Sequence, residues 1–292
     1  MCDDNAFDDM VKYTLRSGGL SRRELGSLAL GAGIALALPR AADAADTAES
    51  EVEVKTADGT CDAYFVHPSA GRHPGVLVWP DIFGLRPAFR QMGKRLAESG
   101  YSVLVVNPFY RTKKAPTAPE KADFNDPETR RMLMELRSTL SAATAKTDAD
   151  AFIPWLDAQP SVDTNRKVGT TGYCMGGPLV FRTAAAQAGR VGAAATFHGG
   201  GLVTDEADSP HLLIPAMKAH FLIAIAENDD QKQPEAKDVL RESFAKAGLP
   251  AEIEVYAGTL HGWCPPDAAV YNATQAERAW ERLLALFQEA LA

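Results

Sequence analysis

Val168-Gly169-Thr170-Thr171-Gly172-Tyr173-Cys174-Met175-Gly176-Gly177 carries the strongest structural signal in the chain. A β-rich run ends in Gly-x-Cys-x-Gly-Gly, and an apolar segment with helical spacing follows it. Small residues two positions before and after a side chain let a strand and a helix meet at a sharp turn, with that side chain at the tip. The free N–H groups at the start of the helix favour a thiolate and an oxyanion there. The pattern therefore predicts that Cys174 is a nucleophile; the alternative is a buried structural cysteine beside a glycine-rich turn.

Apolar runs and helical patterns alternate on both sides of this turn. We predict an opening antiparallel hairpin around Asp58-Gly59, followed by buried strands that alternate with helices. This order predicts an α/β fold, with a mostly parallel twisted sheet of about eight strands and helices on both faces, in one domain over residues 46–292. The predicted strands are 51–56, 61–66, 75–79, 101–106, 167–172, 191–197, 221–226 and 251–256, and the predicted helices are 89–99, 128–156 with a break, 178–188, 235–247 and 274–291.

Composition argues against several classes of protein. The chain has 292 residues and a net charge of −8, with no basic stripe, which is not typical of a nucleic-acid-binding protein. Its four cysteines stand at unrelated spacings and form neither a zinc-binding pattern nor a dense disulfide framework. We therefore expect a globular monomer that acts on a small molecule and needs no metal, no organic cofactor and no nucleic acid.

The first 45 residues are typical of an export signal. Arg22-Arg23 precede a mildly apolar run over 26–38 and an Ala-x-Ala site at 42–44, as in twin-arginine signals. Because the apolar run is too short to span a bilayer, we expect no stable membrane anchor. The mature protein would start near Ala45 in the periplasm, which is an oxidising compartment. A disulfide between Cys61 and Cys264 is one alternative there, and two free thiols are the other. The alternative is an amphipathic helix at the N-terminus of a cytoplasmic protein.

Three predicted strands are each followed by a residue suited to acyl chemistry. Cys174 follows one strand, Asp229 follows a later one, and His261 follows the last. Ligands of open α/β sheets bind at the carboxyl ends of the strands, so these side chains are expected to meet. His261 would take the thiol proton, and Asp229 would orient the imidazole. Asp230 is an alternative acid, and a helix-capping aspartate or a surface histidine would explain the same residues without catalysis.

Five segments make the chain resemble the dienelactone hydrolase family of α/β hydrolases. They occur in family order between residues 81 and 262, and the Gly-Tyr-Cys-x-Gly-Gly element is the most specific of them. The resemblance implies the α/β-hydrolase fold, a Cys174–His261–Asp229 triad, and cleavage of a lactone or ester, of the carboxymethylenebutenolidase type, through a thioester acyl-enzyme. The segments are 81–84, 107–111, 172–177, 226–229 and 260–262.

The resemblance also implies roles for residues around the triad. The backbone N–H groups of Ile82 and Met175 would form the oxyanion hole. Asp81 stands where the family often has a glutamate that takes part in thiol activation, and its side chain is shorter by roughly 1.5 Å, one carbon–carbon bond. A loop-capping role is the alternative for Asp81. Arg111 matches a family arginine that helps hold a substrate carboxylate.

Other positions leave the substrate open. Phe83, Tyr110 and Trp263 are candidates for an acyl pocket, although core packing would explain aromatic residues equally well. Pro265 stands where the family prototype has a second arginine, and this departure favours a general carboxylesterase as an alternative function. A non-catalytic or redox-active thiol protein on the same fold is a further alternative, which the lack of a Cys-x-x-Cys motif disfavours. We expect His198, in Phe-His-Gly-Gly, to be a supporting polar residue rather than a catalytic one.

Overall fold

A hairpin of two long strands opens the sheet, as the Asp58-Gly59 turn predicts. The computed structural model describes residues 44–120 and 122–292. Strand β1 (Thr47–Thr56) pairs antiparallel with β2 (Gly59–Pro68), and the φ of 141° at Gly59 is one that glycine adopts most easily. Strand β2 also pairs antiparallel with β4 (Ser102–Val106), so the hairpin forms one end of the sheet.

The other six strands run parallel to one another. β3 (Gly75–Trp79), β4, β5 (Val168–Tyr173) and β6 (Val191–Phe197) are buried at every position, because helices cover both faces of the sheet. β7 (His220–Ala226) and β8 (Ala251–Tyr256) continue the sheet to its far edge. The strand order is β1-β2-β4-β3-β5-β6-β7-β8, which confirms the predicted α/β fold and its mostly parallel sheet.

Helices on the two faces bury opposite sides of the same strands. Val76 and Val78 belong to the cluster beneath α1 (Pro87–Glu98) and α7 (Ala273–Ala290). Leu77 and Trp79 alternate with them and belong to the cluster on the other face. The helices on that second face are α3 (Ala142–Asp157), α4 (Gly176–Ala186) and α6 (Ala236–Ala247).

The predicted break in the long helical segment is confirmed. Helix α2 (Pro127–Ser138) ends before α3 begins, and Ser141 caps α3 by accepting a hydrogen bond from the backbone N–H of Thr144. The short helix α5 (Glu227–Lys232), directly after β7, was not predicted. A 3-10 helix over Pro210–Ala216 was likewise not predicted.

The predicted export signal, residues 1–45, lies outside the described residues except for Ala44 and Ala45. Among the described helices, none is long and apolar enough to cross a membrane. Cys61 and Cys264 are both unbridged thiols, and they belong to core clusters on opposite faces of the sheet. The alternative of a Cys61–Cys264 disulfide is therefore not realised in this structure, in which both thiols are free.

Candidate active site

Cys174 lies at the tip of the turn that joins β5 to α4. Its φ of 53° is in the left-handed region, which is strained for a residue with a side chain. A Cβ on Gly172 would lie 2.4 Å from the carbonyl oxygen of Gly176, and a Cβ on Gly176 would lie 2.5 Å from that of Trp79. Both distances are shorter than real Cβ contacts, so only glycine allows the strand and the helix to approach this closely. The two glycines thereby hold the turn that presents the thiol.

Hydrogen bonds fix the backbone on both sides of the thiol. The N–H of Cys174 donates to the carbonyl of Phe197 in β6 at 3.1 Å, and the N–H of Gly177 donates back to the carbonyl of Cys174 at 3.0 Å. Because α4 begins at Gly176, the positive end of its dipole lies beside the sulfur. A thiolate formed at this sulfur would be stabilised by that dipole.

His261 and Asp229 are joined by a hydrogen bond across the carboxyl ends of β7 and β8. Nδ1 of His261 lies 2.7 Å from Oδ2 of Asp229, and since an ionised carboxylate only accepts, Nδ1 donates and Nε2 is the basic nitrogen. The backbone N–H of His261 donates to Oδ1 of Asn228 at 2.8 Å, which fixes the backbone from which the imidazole projects. Asp230, the alternative acid, instead pairs with Lys237 at 2.6 Å. The structure thus places Asp229, not Asp230, against the imidazole.

Cys174 and His261 line one cavity of about 770 Å³. Its walls come from the loop after β3, from residues 116, 118–120 and 122–125 after β4, and from residues 262 and 266–270 after β8. A cavity of this size is typical of sites that bind small molecules. The described residues contain no group of three or more His, Cys, Asp or Glu side chains that could hold a metal ion. The predicted nucleophile and the predicted base therefore face the same space.

The two predicted oxyanion donors lie beside the thiol. Ile82 and Met175 pack with Cys174 in one small buried cluster. Within the described part of the chain, neither of their backbone N–H groups has a backbone acceptor. Preorganised N–H donors next to a nucleophile are what an oxyanion hole requires. Their role stays a prediction, and their placement is compatible with it.

Asp81 lines the cavity, but its carboxylate is bound by an arginine that the sequence analysis did not single out. Arg86 donates from Nη1 to Oδ1 of Asp81 at 2.6 Å and from Nη2 to Oδ2 at 2.9 Å. The backbone N–H of Phe83 also donates to Oδ1 at 3.0 Å, so Asp81 caps its own loop. The loop-capping alternative describes these contacts, and participation of Asp81 in thiol activation stays a prediction.

Arg86 connects this loop to the loop that follows His261. Its Nε donates to Oδ2 of Asp267 at 2.7 Å, and its Nη2 donates to Oδ1 at 3.0 Å. Burial alone would lower the pKa of Arg86, but Asp81 and Asp267 raise it above its usual value. The guanidinium also lies 4.9 Å from the centre of the Phe89 ring, a cation–π distance. The charge of Arg86 is thus held permanently between two loops of the site.

Arg111 and Tyr110 belong to a different network and do not line the cavity among the described residues. Arg111 donates from Nη2 to Oδ1 of Asp148 at 2.6 Å and from Nη1 to Oδ2 at 3.0 Å. It also donates from Nε and Nη2 to Oδ2 of Asp58, and the Tyr110 hydroxyl donates to Asp148 at 2.8 Å. Because Asp148 is almost fully buried, it needs these donors to remain ionised. Arg111 and Tyr110 therefore tie the hairpin turn to α3, and their expected contact with substrate has no support in this placement.

Only one of the three aromatic candidates named for the acyl pocket lines the cavity. Phe83 is part of its wall. Trp263 is completely buried, stacks on Tyr256 at a centroid distance of 5.3 Å and meets His198 edge to face at 5.1 Å. Core packing, which the sequence left open for these residues, is thus the role of Trp263.

His198 meets the His261 ring edge to face and lines the same cavity. It ends β6 with a φ of 42°, it is 1% exposed, and its ring centre lies 5.2 Å from that of His261. Within the described residues, neither ring nitrogen of His198 has a hydrogen-bond partner. Burial lowers the pKa of His198 well below its usual value, and His261 lowers it further. The imidazole of His198 is therefore neutral at physiological pH.

Comparisons with known proteins agree over most of the chain. The model of the dienelactone hydrolase family matches residues 61–291. A Methylorubrum extorquens (strain AM1) protein with the provisional name carboxymethylenebutenolidase is 28% identical over 297 residues, covering 97% of this chain and 98% of that relative. Carboxymethylenebutenolidase of Pseudomonas putida is 26% identical over 234 residues, or 80% of this chain and 93% of the relative. A Klebsiella pneumoniae crystal structure, provisionally named a dienelactone hydrolase, has the same fold with a TM-score of 0.71 at 23% identity, over 84% of this chain and 99% of that one.

Proposed function

This chain belongs to the dienelactone hydrolase family, and we propose that it hydrolyses a lactone or carboxylic ester bond with Cys174 as its nucleophile. One arrangement carries the proposal: Cys174 and His261 line the same cavity, and Asp229 bonds the far side of the His261 ring. Nucleophile, acid and base follow the carboxyl ends of the parallel strands β5, β7 and β8, and this chain order is the one used by α/β hydrolases.

The first half of the reaction forms a thioester. Nε2 of His261 takes the proton of the Cys174 thiol, and the sulfur attacks the acyl carbon, so that a C–S bond forms and the carbonyl oxygen becomes an oxyanion. The N–H groups of Ile82 and Met175 stabilise that oxyanion. When the intermediate collapses, the C–O bond to the alcohol breaks, and the His261 imidazolium protonates the departing oxygen. In a lactone this alcohol remains attached to the acyl chain.

The second half releases the acid. His261 removes a proton from water, and the resulting hydroxide attacks the thioester carbon through a second oxyanion. The C–S bond then breaks, and the thiolate recovers its proton from His261. Asp229 stabilises the imidazolium in both halves because it accepts the hydrogen bond from Nδ1.

A general carboxylesterase is the second candidate, and two placements favour it. Arg111, the residue that the resemblance assigns to a substrate carboxylate, bonds Asp58 and Asp148 instead of facing the cavity. Pro265 supplies no positive charge on the loop after His261. The same nucleophile and the same acyl-enzyme would serve either function, so the two candidates differ only in the acyl group accepted.

Hydrolysis of cis- and trans-dienelactone and of 4-nitrophenyl acetate tests both candidates. The matched variants are Cys174→Ala and Cys61→Ser, the second of which replaces a buried thiol of β2 that is not among the residues lining the cavity. We expect Cys61→Ser to retain hydrolysis and Cys174→Ala to lose it. Lactone turnover would favour the dienelactone hydrolase activity, and turnover of the simple ester alone would favour the carboxylesterase. Equal activity of Cys174→Ala and wild type would refute the nucleophile.

A further inference from the structure

We infer that the cavity selects esters and lactones whose acyl group is uncharged and discriminates against those that carry a carboxylate. The inference rests on the proposed function of Cys174, and it deepens that proposal by naming a substrate class. Two observations support it: the charged side chains that line the cavity are mostly acidic, and the arginine among them already donates hydrogen bonds to neighbouring protein groups.

Arg86 is the one arginine or lysine in the lining, as far as the described residues go. A guanidinium has five N–H donors. Arg86 donates two hydrogen bonds to the carboxylate of Asp81, two to the carboxylate of Asp267, and one to the carbonyl of Gly84 at 3.4 Å. Every donor is therefore used inside the protein before a substrate arrives.

The rest of the charged lining is acidic. Asp81, Glu120, Asp123 and Asp267 all line the cavity, so its described residues carry three more formal negative charges than positive ones. Like charges at short range disfavour binding, although water and salt partly screen the exposed carboxylates of Glu120 and Asp123. A carboxylate on the substrate would meet this excess, and no cation with a free N–H donor offsets it among the described residues of the lining.

Displacing an internal carboxylate from Arg86 would not resolve the conflict. Asp81 is 7% exposed, and without Arg86 it would be a buried charge that lacks its partner, which is strongly destabilising. The same Asp81 carboxylate accepts a hydrogen bond from the N–H of Phe83, the residue after Ile82. A shift of Asp81 would therefore disturb the backbone next to Ile82. A carboxylate-bearing substrate would thus have to disturb the loop that carries an expected oxyanion donor.

An uncharged acyl group would meet a favourable surface instead. The walls of the cavity include apolar side chains from three different loops, which an acyl chain could contact without displacing any ion pair. These side chains are Phe83, Pro119, Phe124, Ala269 and Val270.

A pair of esters that differ only in charge tests the inference. We would compare kcat/KM for 4-nitrophenyl hydrogen glutarate, a monoanion, with kcat/KM for its methyl ester at low ionic strength. We expect the methyl ester to be preferred by about tenfold or more, the effect of uncompensated like charges at intermediate dielectric. The preference should shrink as salt is raised to about 0.5 M, since salt screens charges that remain partly exposed. Equal rates, or a preference for the anion, would overturn the inference while leaving the proposed function intact.

Substitutions then connect the preference to Arg86. Asp267→Asn removes one charge and one strong acceptor, so we expect it to narrow the ratio between the two esters several-fold, whatever it does to the absolute rates. Glu242→Gln removes the same charge from the exposed surface of α6 and should leave the ratio unchanged. An unchanged ratio in Asp267→Asn would contradict the assignment to Arg86. If Cys174→Ala hydrolysed both esters as fast as wild type, the proposed function would fail and this inference with it.

Discussion

Nδ1 of His261 donates a hydrogen bond to Oδ2 of Asp229 over 2.7 Å, between residues that follow two adjacent parallel strands. The bond fixes the orientation of the imidazole and leaves Nε2 as its basic nitrogen. His261 is 4% exposed, so the charge that its ring acquires during catalysis has little water to stabilise it. In the proposed mechanism, the Asp229 carboxylate provides that stabilisation.

Replacing this carboxylate by an amide should impair turnover far more than binding. Asp229→Asn keeps the shape of the side chain but no longer stabilises the imidazolium and can stabilise the wrong tautomer. We expect kcat/KM for 4-nitrophenyl acetate to fall by about 10²–10⁴-fold, as in other triads. The matched control is Asp230→Asn, whose side chain pairs with Lys237 rather than His261 and which should stay within a few-fold of wild type. The opposite order of the two variants would mean that Asp230 is the acid.

Gly172 should tolerate no larger residue. Gly172→Ala would place a methyl group 2.4 Å from the carbonyl oxygen of Gly176, so β5 and α4 would have to separate. We expect a loss of about 1–3 kcal/mol in the free energy of unfolding, measured as a lower Tm. Gly189→Ala is the control, because a Cβ there meets no atom within 4 Å, and it should change stability by less than about 0.5 kcal/mol. Equal melting temperatures for the two variants would show that the turn is less constrained than its geometry indicates.

His198 should make the fold sensitive to mild acid. Its pKa is lowered by burial in the folded protein, whereas an unfolded histidine titrates near pH 6.5. Between these two values the unfolded chain binds a proton that the folded chain does not, so stability is complete above about pH 6.5 and falls as the pH decreases. One such residue contributes at most about 1.4 kcal/mol per pH unit.

The variant His198→Asn removes this titration and keeps a residue that tolerates positive φ. Thermal unfolding of both proteins between pH 5 and 7.5 should show a shallower loss of stability in the variant. Only the difference in slope matters, because the variant also changes packing against Trp263. Parallel slopes would contradict a neutral, buried His198.

The paired arginines near the N-terminus lead to a prediction about location. We propose that Arg22 and Arg23 direct export by the twin-arginine route. Substituting both by lysine should leave the full-length precursor in the cytoplasm, while a change of two lysines on the exposed surface should not. Cell fractionation followed by N-terminal sequencing would detect the difference. A variant that is exported and processed like the wild type would contradict the proposal.

Much of the fold was predictable because hydrophobic patterning determines it. Strands β3, β4 and β7 appear in the sequence as largely apolar runs, and the structure places a strand at each of them. Helix α5 was not predicted, because it lacks a hydrophobic pattern. None of its residues is buried, so it has no apolar face that a periodic pattern could reveal.

The site was predictable only where chain order or a local motif encodes it. Cys174 stands in a recognisable turn, and strand order brings His261 and Asp229 together. The contact between Arg86 and Asp267 joins residues 181 positions apart, and no local pattern indicates it. Arg111 was assigned a role that this structure does not support. The resemblance implies that it binds a substrate carboxylate, but its guanidinium is bound by the buried carboxylate of Asp148.

In the proposed mechanism, Cys174 carries the acyl group during turnover. Rapid quenching of wild-type protein with 4-nitrophenyl butyrate into acid, followed by intact-protein mass spectrometry and peptide mapping, measures this directly. We predict a transient mass increase of one butyryl group on the peptide that contains Cys174, formed with the burst of nitrophenol, removed by hydroxylamine and absent in Cys174→Ala. Hydrolysis that proceeds with no acylated Cys174 peptide, or with the butyryl group on another residue, would contradict it.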